Sequence, residues 1–362
     1  MRRDYSLISG QDMVVVSSLS ERLVSLVLLE TDCSGEIMVS WEYPGVAEQL
    51  QEVLLAHGKT RSEEESEAPE IGRLGEYWFY MQNLPSSISA NIRSAQLVLV
   101  ATQYQPPLFL KLLQVLADGF KASSGDCAQL VATYLKAFST GKTGDFRESN
   151  FPAAQRDVDA RKLLGWPRFK DAVTLFSEED VQLVWLSVLM RLKVAVISDS
   201  KHEASQFVMG LPLWVPHRKN AEDWIYPSVS LLEVEVQELR SRLSGFVAAF
   251  DDVAARDISP SPFEVIIDLS ERTVSVLSPD VSLVLVPSKL TAPILGCSDE
   301  ESYEACFGRV ASMVGGALKA YVTTKKSGNT MLSEKALRGA SLPPTAEDLL
   351  RRLASAEGLV SQ

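Results

Sequence analysis

The sequence predicts an α/β protein of two lobes, an N-terminal antiparallel sheet covered by helices and a C-terminal α/β lobe that ends in helices. Three observations predict it. Near the start, two apolar runs, Leu23–Leu29 and Ile37–Trp41, flank the turn sequence Asp32-Cys33-Ser34-Gly35, so strands join by hairpins rather than long crossovers. After Ser177, helical periodicity alternates with short apolar runs, the rhythm of an α/β lobe. At 362 residues the chain is too long for one small domain and suits two. The expected divisions are residues 1–20 as a lead-in or added strand, 21–140 as the first lobe, 141–156 as a linker and 157–362 as the second lobe.

The elements follow in order. Residues 1–20 are polar and Ser-rich around one apolar patch, Met13–Val16. Strands are expected over about Arg22–Thr31 and Glu36–Tyr43, with Gly35 suited to positive φ and Pro44-Gly45 ending the hairpin. Val46, Leu50, Val53 and Leu54 recur at helical spacing, and Gly58 is placed to close that helix. Arg61–Glu70 is a charge run ending just after Pro69, read mainly as a solvated loop, with contact to a basic partner as the alternative. Tyr77–Met81 and Leu97–Val100 read as buried strands. A helix opens at Pro106-Pro107 and carries Leu108, Leu112, Leu116 and Phe120; another runs from Asp126 to Phe138. Gly141–Ala154 is rich in Gly, Ser, Asn and charge, as a boundary would be.

In the second lobe, Ser177-x-x-Asp180 resembles a capping box and opens a helix to about Leu192. Val194–Ile197 is a continuous apolar run of the kind buried in parallel sheets. A further helix, a strand near Trp214, a long helix over Leu231–Phe250 and a hairpin of Glu264–Leu269 with Thr273–Leu277 are expected. Helices over Glu301–Thr323 and Thr345–Leu359 close the chain.

Composition bounds the function. A net charge of −12 argues against a nucleic-acid footprint, which needs clustered Lys and Arg. Cys33, Cys127, Cys297 and Cys306 have no CxxC spacing and are too few for a disulfide scaffold, so a reducing compartment is expected. No apolar run is long enough for a transmembrane helix, and no signal peptide is expected after Arg2-Arg3. The location predicted is cytoplasmic.

Catalytic patterns compete with plainer ones along the chain. Gly141-Lys142-Thr143 lacks the upstream glycine of a phosphate-binding loop, since Lys136 occupies that position, and it follows a helix instead of a strand. Gly315-Gly316 and Gly339 form no dinucleotide fingerprint. His57, His202 and His217 have no metal-ligand spacing; His57 falls in the last turn of its helix, where a cation suits the dipole. Asp251-Asp252 reads as a helix terminus, and no nucleophile–base set is recognisable. No cofactor is expected. Two clusters remain. Asp157, Asp159, Arg161 and Lys162 form a dense charged string beside the linker, either bracing the lobes or contacting a partner. His217 and Arg218 end the rigid stretch Leu211–Arg218, read as a strand exit or part of a binding edge.

With that string the chain resembles the small DENN-domain proteins of the DENN-domain-containing protein 10 group, also known as family with sequence similarity 45. The likeness rests on the opening hairpin with Gly35-Glu36 and Tyr43-Pro44, on Trp78-Phe79-Tyr80, and on Asp157-Val158-Asp159-Ala160-Arg161-Lys162. It continues through Leu211-Pro212 with His217-Arg218, Gly245–Phe250, Leu342–Glu347 and Leu353–Glu357. Val158 stands where the family's string has an aromatic, which marks a distant member. The resemblance implies a longin-like first lobe and a DENN lobe behind it. It implies membrane-trafficking work at endosomes through a Rab-type GTPase, with nucleotide exchange as the proposed activity. It also implies association with the coiled-coil subunits of the endosomal Commander assembly. A purely structural subunit of that assembly is the competing reading. The partner-binding residues expected are Asp157, Asp159, Arg161, Lys162, His217 and Arg218.

Overall fold

The structure is a computed structural model that describes residues 19–59, 68–84, 91–151, 173–215, 218, 223–251, 253–277, 321–324, 330–340 and 344–359, with scattered positions between 305 and 318. A single turn, α1 (Leu19–Arg22), leads into β1 (Leu23–Asp32), which pairs antiparallel with β2 (Ile37–Tyr43) through the expected turn. The Asp32 carboxylate accepts from the backbone N–H groups of Ser34 and Glu36, and Gly35 adopts φ +86°. After α2 (Glu48–Lys59) come β3 (Glu70–Leu74), β4 (Tyr77–Leu84) and β5 (Ile92–Ala101), then α3 (Pro106–Ala122) and α4 (Cys127–Thr140). The five strands are ordered β2-β1-β5-β4-β3, with every pairing antiparallel.

The apolar continuity of β1 has a physical cause: both faces of this sheet are covered. Leu26 and Leu28 face the cluster built with α3 and α4, while Val27 and Leu29 face the cluster built with α2. Gly58 lies inside α2 and does not close it. A Cβ there would stand 2.4 Å from Ile37 Cδ1, so the glycine is required by close packing of the helix on the sheet.

Residues 141–151, the first part of the expected linker, form a small hairpin of β6 (Lys142–Thr143) and β7 (Phe146–Arg147) and a 3₁₀ turn. Phe146 is fully buried, and Glu148 pairs with the buried Arg22 guanidinium, which also donates to Gln105 Oε1 at 2.7 Å. Gly141 closes α4 in the left-handed region, which accounts for the glycine without a phosphate.

The second region begins with α5 (Glu178–Leu189), capped by Ser177, whose Oγ accepts from the Asp180 N–H. Then follow β8 (Lys193–Ile197), α6 (Lys201–Gly210), β9 (Ile225–Tyr226), α7 (Glu233–Ser241), β10 (Phe246–Phe250), β11 (Val265–Asp268) and β12 (Thr273–Val276). The sheet order is β12-β11-β8-β10-β9, parallel except for the β11–β12 hairpin. The chain closes with β13 (Val322–Thr324), β14 (Thr330–Leu332), α8 (Glu334–Gly339) and α9 (Pro344–Ala356).

Three expectations are corrected. Leu211–Trp214 is a 3₁₀ turn continuing α6, not a strand. The long helix expected over Leu231–Phe250 stops at Ser241, and Phe246–Phe250 is an interior strand between β8 and β9. Its five-residue apolar run is buried on both faces, which hides the period that separates strand from helix. The helix expected to reach Thr323 gives way to β13 by Val322.

The two sheets share one core. A single apolar cluster joins Tyr80, Leu112 and Phe109 of the first region to Trp185, Val196 and Ile225 of the second. On the opposite face of the first sheet, Leu232 and Val234 pack beside the α2 cluster.

Candidate functional site at the junction of the two sheets

The junction contains a buried ion cluster. It forms because α2 brings His57 to its last turn, beside the start of β3, while β8, β10 and the loop before α7 end opposite. The His57 ring is fully buried. Its Nδ1 lies 2.6 Å from Glu70 Oε1 and its Nε2 lies 3.1 Å from Glu235 Oε1. Lys201 Nζ pairs with the same Glu70 oxygen at 2.9 Å, and Ser228 Oγ donates to it at 2.9 Å. The second Glu235 oxygen accepts from the Ser230 N–H at 3.1 Å and from the Ser230 hydroxyl. The cluster thus ties β3 and α2 to α6, α7 and the loop at residues 228–230.

Carboxylates on both ring nitrogens favour the imidazolium, the only form with two N–H donors. Burial opposes the charge, but the Glu235 carboxylate and then Glu70 outweigh it against the Lys201 ammonium. The His57 pKa is accordingly pushed up from 6.5 to about 9. Two cations face two carboxylates, so the buried charge is balanced. Asp251, just after β10, has its pKa raised by burial, against the pull of Lys201. The dipole role read for His57 from sequence is therefore secondary to this pairing across the junction. Among the described residues no group of three or more His, Cys, Asp or Glu could hold a metal ion.

Beside the cluster, the Arg73 guanidinium lies 5.2 Å from the ring centres of both Trp78 and Tyr226, and Arg242 lies 5.3 Å from Tyr226. The Tyr226 hydroxyl donates to Glu238 Oε1 at 2.8 Å, and Glu238 Oε2 accepts from the Gly75 N–H at 2.7 Å. This stack again links the β3–β4 turn to α7.

Of the residues singled out from sequence, Asp157, Asp159, Arg161, Lys162 and His217 lie outside the described residues. Arg218 is buried. Its Nη1 donates to Val188 O at 2.6 Å and its Nη2 to Leu189 O at 2.5 Å, capping α5. Nη2 also pairs with Glu357 at 2.6 Å, just beyond α9. Burial lowers the Arg218 pKa, opposed by Glu357. Sequence reasoning missed Glu70, Lys201 and Glu235. Glu70 closes the acidic run read as solvated, yet it is buried as the first residue of β3.

No family model matches the chain. It is 24% identical over 372 aligned positions to a Dictyostelium discoideum protein named DENN domain-containing protein 10, covering 92% of this chain and 97% of that one. The mouse protein of that name is 23% identical, covering 96% and 99%, and the human one 23%, covering 94% and 97%. Over nearly its whole length the chain is thus similar, at 23–24% identity, to proteins named DENN domain-containing protein 10. No helix among the described residues is long and apolar enough to cross a membrane.

Proposed function

We propose that this chain is a membrane-trafficking regulator of the DENN type that binds a Rab-type GTPase across its two lobes. The observation that carries the reading is the likeness to proteins named for a DENN domain, which spans at least 92% of the chain and so takes in both sheets. The strand order of the first sheet and the helices on its two faces support a longin-like first lobe. In this reading the exchange mechanism is thermodynamic. The chain binds the nucleotide-free GTPase more tightly than the nucleotide-bound form, so nucleotide affinity falls by linkage. Asp157, Asp159, Arg161, Lys162 and His217 are the proposed partner-facing residues. Arg218, held by Val188, Leu189 and Glu357, is proposed as an anchor beside them. Association with coiled-coil subunits of a Commander-like recycling complex, and recruitment to endosomes through such partners, complete the proposal.

The test is release of a fluorescent guanine nucleotide from a panel of purified Rab-type GTPases, with and without the full chain. Accelerated release from at least one member is expected, together with retention of its nucleotide-free form on the immobilised chain. Retention without acceleration would assign a structural subunit instead. Neither effect across the panel would overturn GTPase binding.

A further inference from the structure

The last turns of α9 and the turn after it carry Leu350-Arg351-Arg352-Leu353-Ala354-Ser355-Ala356-Glu357-Gly358-Leu359. Two arginines stand four and three residues before Ser355, with one leucine five before it and another four after it. No other serine or threonine of the chain has a basic residue at either of those two places with Leu, Ile, Val, Met or Phe at both flanking ones. Ser6, behind Met1 and Arg2-Arg3, comes nearest but has Gly10 at the far place. Serine kinases of the calmodulin-dependent and AMP-activated class read this pattern: carboxylates in the substrate groove meet the arginines, and apolar pockets take the two flanking side chains.

The helix sorts the pattern onto two faces. Ser355 is exposed, and Arg351 and Arg352 lie one turn back on its side. Their side chains are 38% and 34% exposed and pair within the helix, with Glu347 and, at 2.9 Å, with Asp348. Such surface pairs are weak. Leu350, Leu353 and Ala354 are buried. The helix closes at Gly358, φ +68°: the Leu359 N–H donates to Ala354 O at 2.7 Å and the Gly358 N–H to Ser355 O at 3.0 Å. Two ties hold this corner. Leu359 O accepts from the Leu332 N–H of β14 at 2.7 Å, and Glu357 pairs with Arg218 at 2.6 Å.

We propose that Ser355 is a phosphorylation site for a kinase of this class, and that its phosphate releases the corner at Glu357–Leu359 from β14 and Arg218. Recognition and release share one cause. The arginines and the acceptor hydroxyl are presented on the surface, but the apolar anchors and an extended backbone become available only when the last turn opens. Helix ends open at little free-energy cost. Transfer forms the bond from Ser355 Oγ to the γ-phosphorus of ATP and breaks the bond to the bridging oxygen, so that ADP leaves. The hydroxyl proton passes to the kinase's catalytic carboxylate. The phosphate brings a charge of about −2 to the last turn of a helix, where the carbonyl ends already concentrate negative charge. It stands two residues from Glu357, the carboxylate that Arg218 holds. Arg351 and Arg352 can answer it only by leaving Glu347 and Asp348, so reclosure of the turn is disfavoured.

The full chain, Ser355→Ala and the double variant Arg351→Gln/Arg352→Gln are incubated with ATP and active AMP-activated protein kinase as the probe. A standard peptide substrate reports that the kinase is active, and peptide mass spectrometry locates the phosphate. Phosphate on Ser355 is expected, absent from Ser355→Ala and slower by about tenfold or more in the double variant, which lacks both guanidinium groups. No phosphate on Ser355 while the standard peptide is modified, or an equal rate in the double variant, would overturn the site. Hydrogen exchange then compares the phosphorylated and unmodified chains. The amides of Glu357–Leu359 and Leu332 are expected to exchange about tenfold faster after phosphorylation, with β4 and β5 unchanged, as for local opening of one corner. Exchange there that is unchanged or slower would overturn the release.

Discussion

Raising the pH from 7 to 10 should loosen the junction of the two sheets through one residue. The His57 pKa is raised from 6.5 to about 9, so the group binds its proton more tightly folded than unfolded. Its contribution is fully present below pH 6.5 and is lost as pH climbs through 9. At 1.36 kcal/mol per pH unit the full contribution is about 3 kcal/mol, of which about 2 remains at pH 7.4. The groups facing the ring are Glu70 from β3, Lys201 from α6 and Glu235 from α7, with Asp251 nearby just after β10. His57→Gln keeps the size of the side chain but cannot carry the charge. It leaves the two carboxylates to one lysine, at a cost of roughly 3–5 kcal/mol at neutral pH. Denaturant unfolding of both proteins at pH 7, 8, 9 and 10 is the assay. Lysines, cysteines and tyrosines elsewhere titrate in both and cancel in the difference. The gap between wild type and His57→Gln should narrow by about 2–3 kcal/mol across the series. A gap that stays constant would refute the charged histidine and the assignment of the cluster with it.

Three other outcomes are expected. Gly245→Ala puts a Cβ 1.6 Å from the Arg191 carbonyl oxygen, a backbone atom, so it should destabilise beyond the roughly 1–3 kcal/mol of ordinary overpacking; a melting temperature equal to wild type would show that the turn into β10 yields freely. Arg218→Ala removes charged hydrogen bonds to Val188, Leu189 and Glu357 and should cost about 2–3 kcal/mol, with faster proteolysis after α9; unchanged melting and cleavage would refute that anchoring. Arg161→Ala separates the two roles read for the charged string: a loss of roughly 3–5 kcal/mol marks a brace with a buried carboxylate. A change below about 0.5 kcal/mol with weakened partner capture marks a contact surface, and no change in either would remove both roles.

The legibility of the fold follows how far local pattern and tertiary burial agree. The β1–β2 hairpin is readable because its turn chemistry lies entirely within residues 32–36. The α3 start at Pro106 and the Ser177 cap are readable for the same reason. Phe246–Phe250 is not, because a strand buried on both faces carries no alternation, and an apolar run of that kind reads equally as a continuation of the helix before it. The site is less legible still. Glu70 and Glu235 meet at His57 from positions 13 and 178 residues away, and each sits among other acidic residues in the sequence. No local spacing distinguishes a carboxylate that will meet an imidazolium from one that will meet water. His57 carries the only available signal, a polar residue at the end of an apolar helical stripe, and even that is satisfied equally by a helix dipole.

The cluster also bears on how a partner would be met. A buried ion cluster is a weak source of net stability, since apolar residues of the same volume often do as well or better. The shared core through Trp185, Val196 and Tyr80 already supplies apolar cohesion between the sheets. Apolar surfaces are tolerant of small slides, whereas hydrogen-bonded charges are not. His57 is satisfied at 2.6 and 3.1 Å by carboxylates from different elements, and Lys201 and Ser228 hold one of those carboxylates in place. A slide of an ångström or two would leave buried charges unpaired. The cluster therefore selects one register of β3 and α2 against α6 and α7. A partner that grips both lobes, as proposed here, would then meet a surface whose ordering cost has been met in the free protein, the condition under which a modest interface binds tightly.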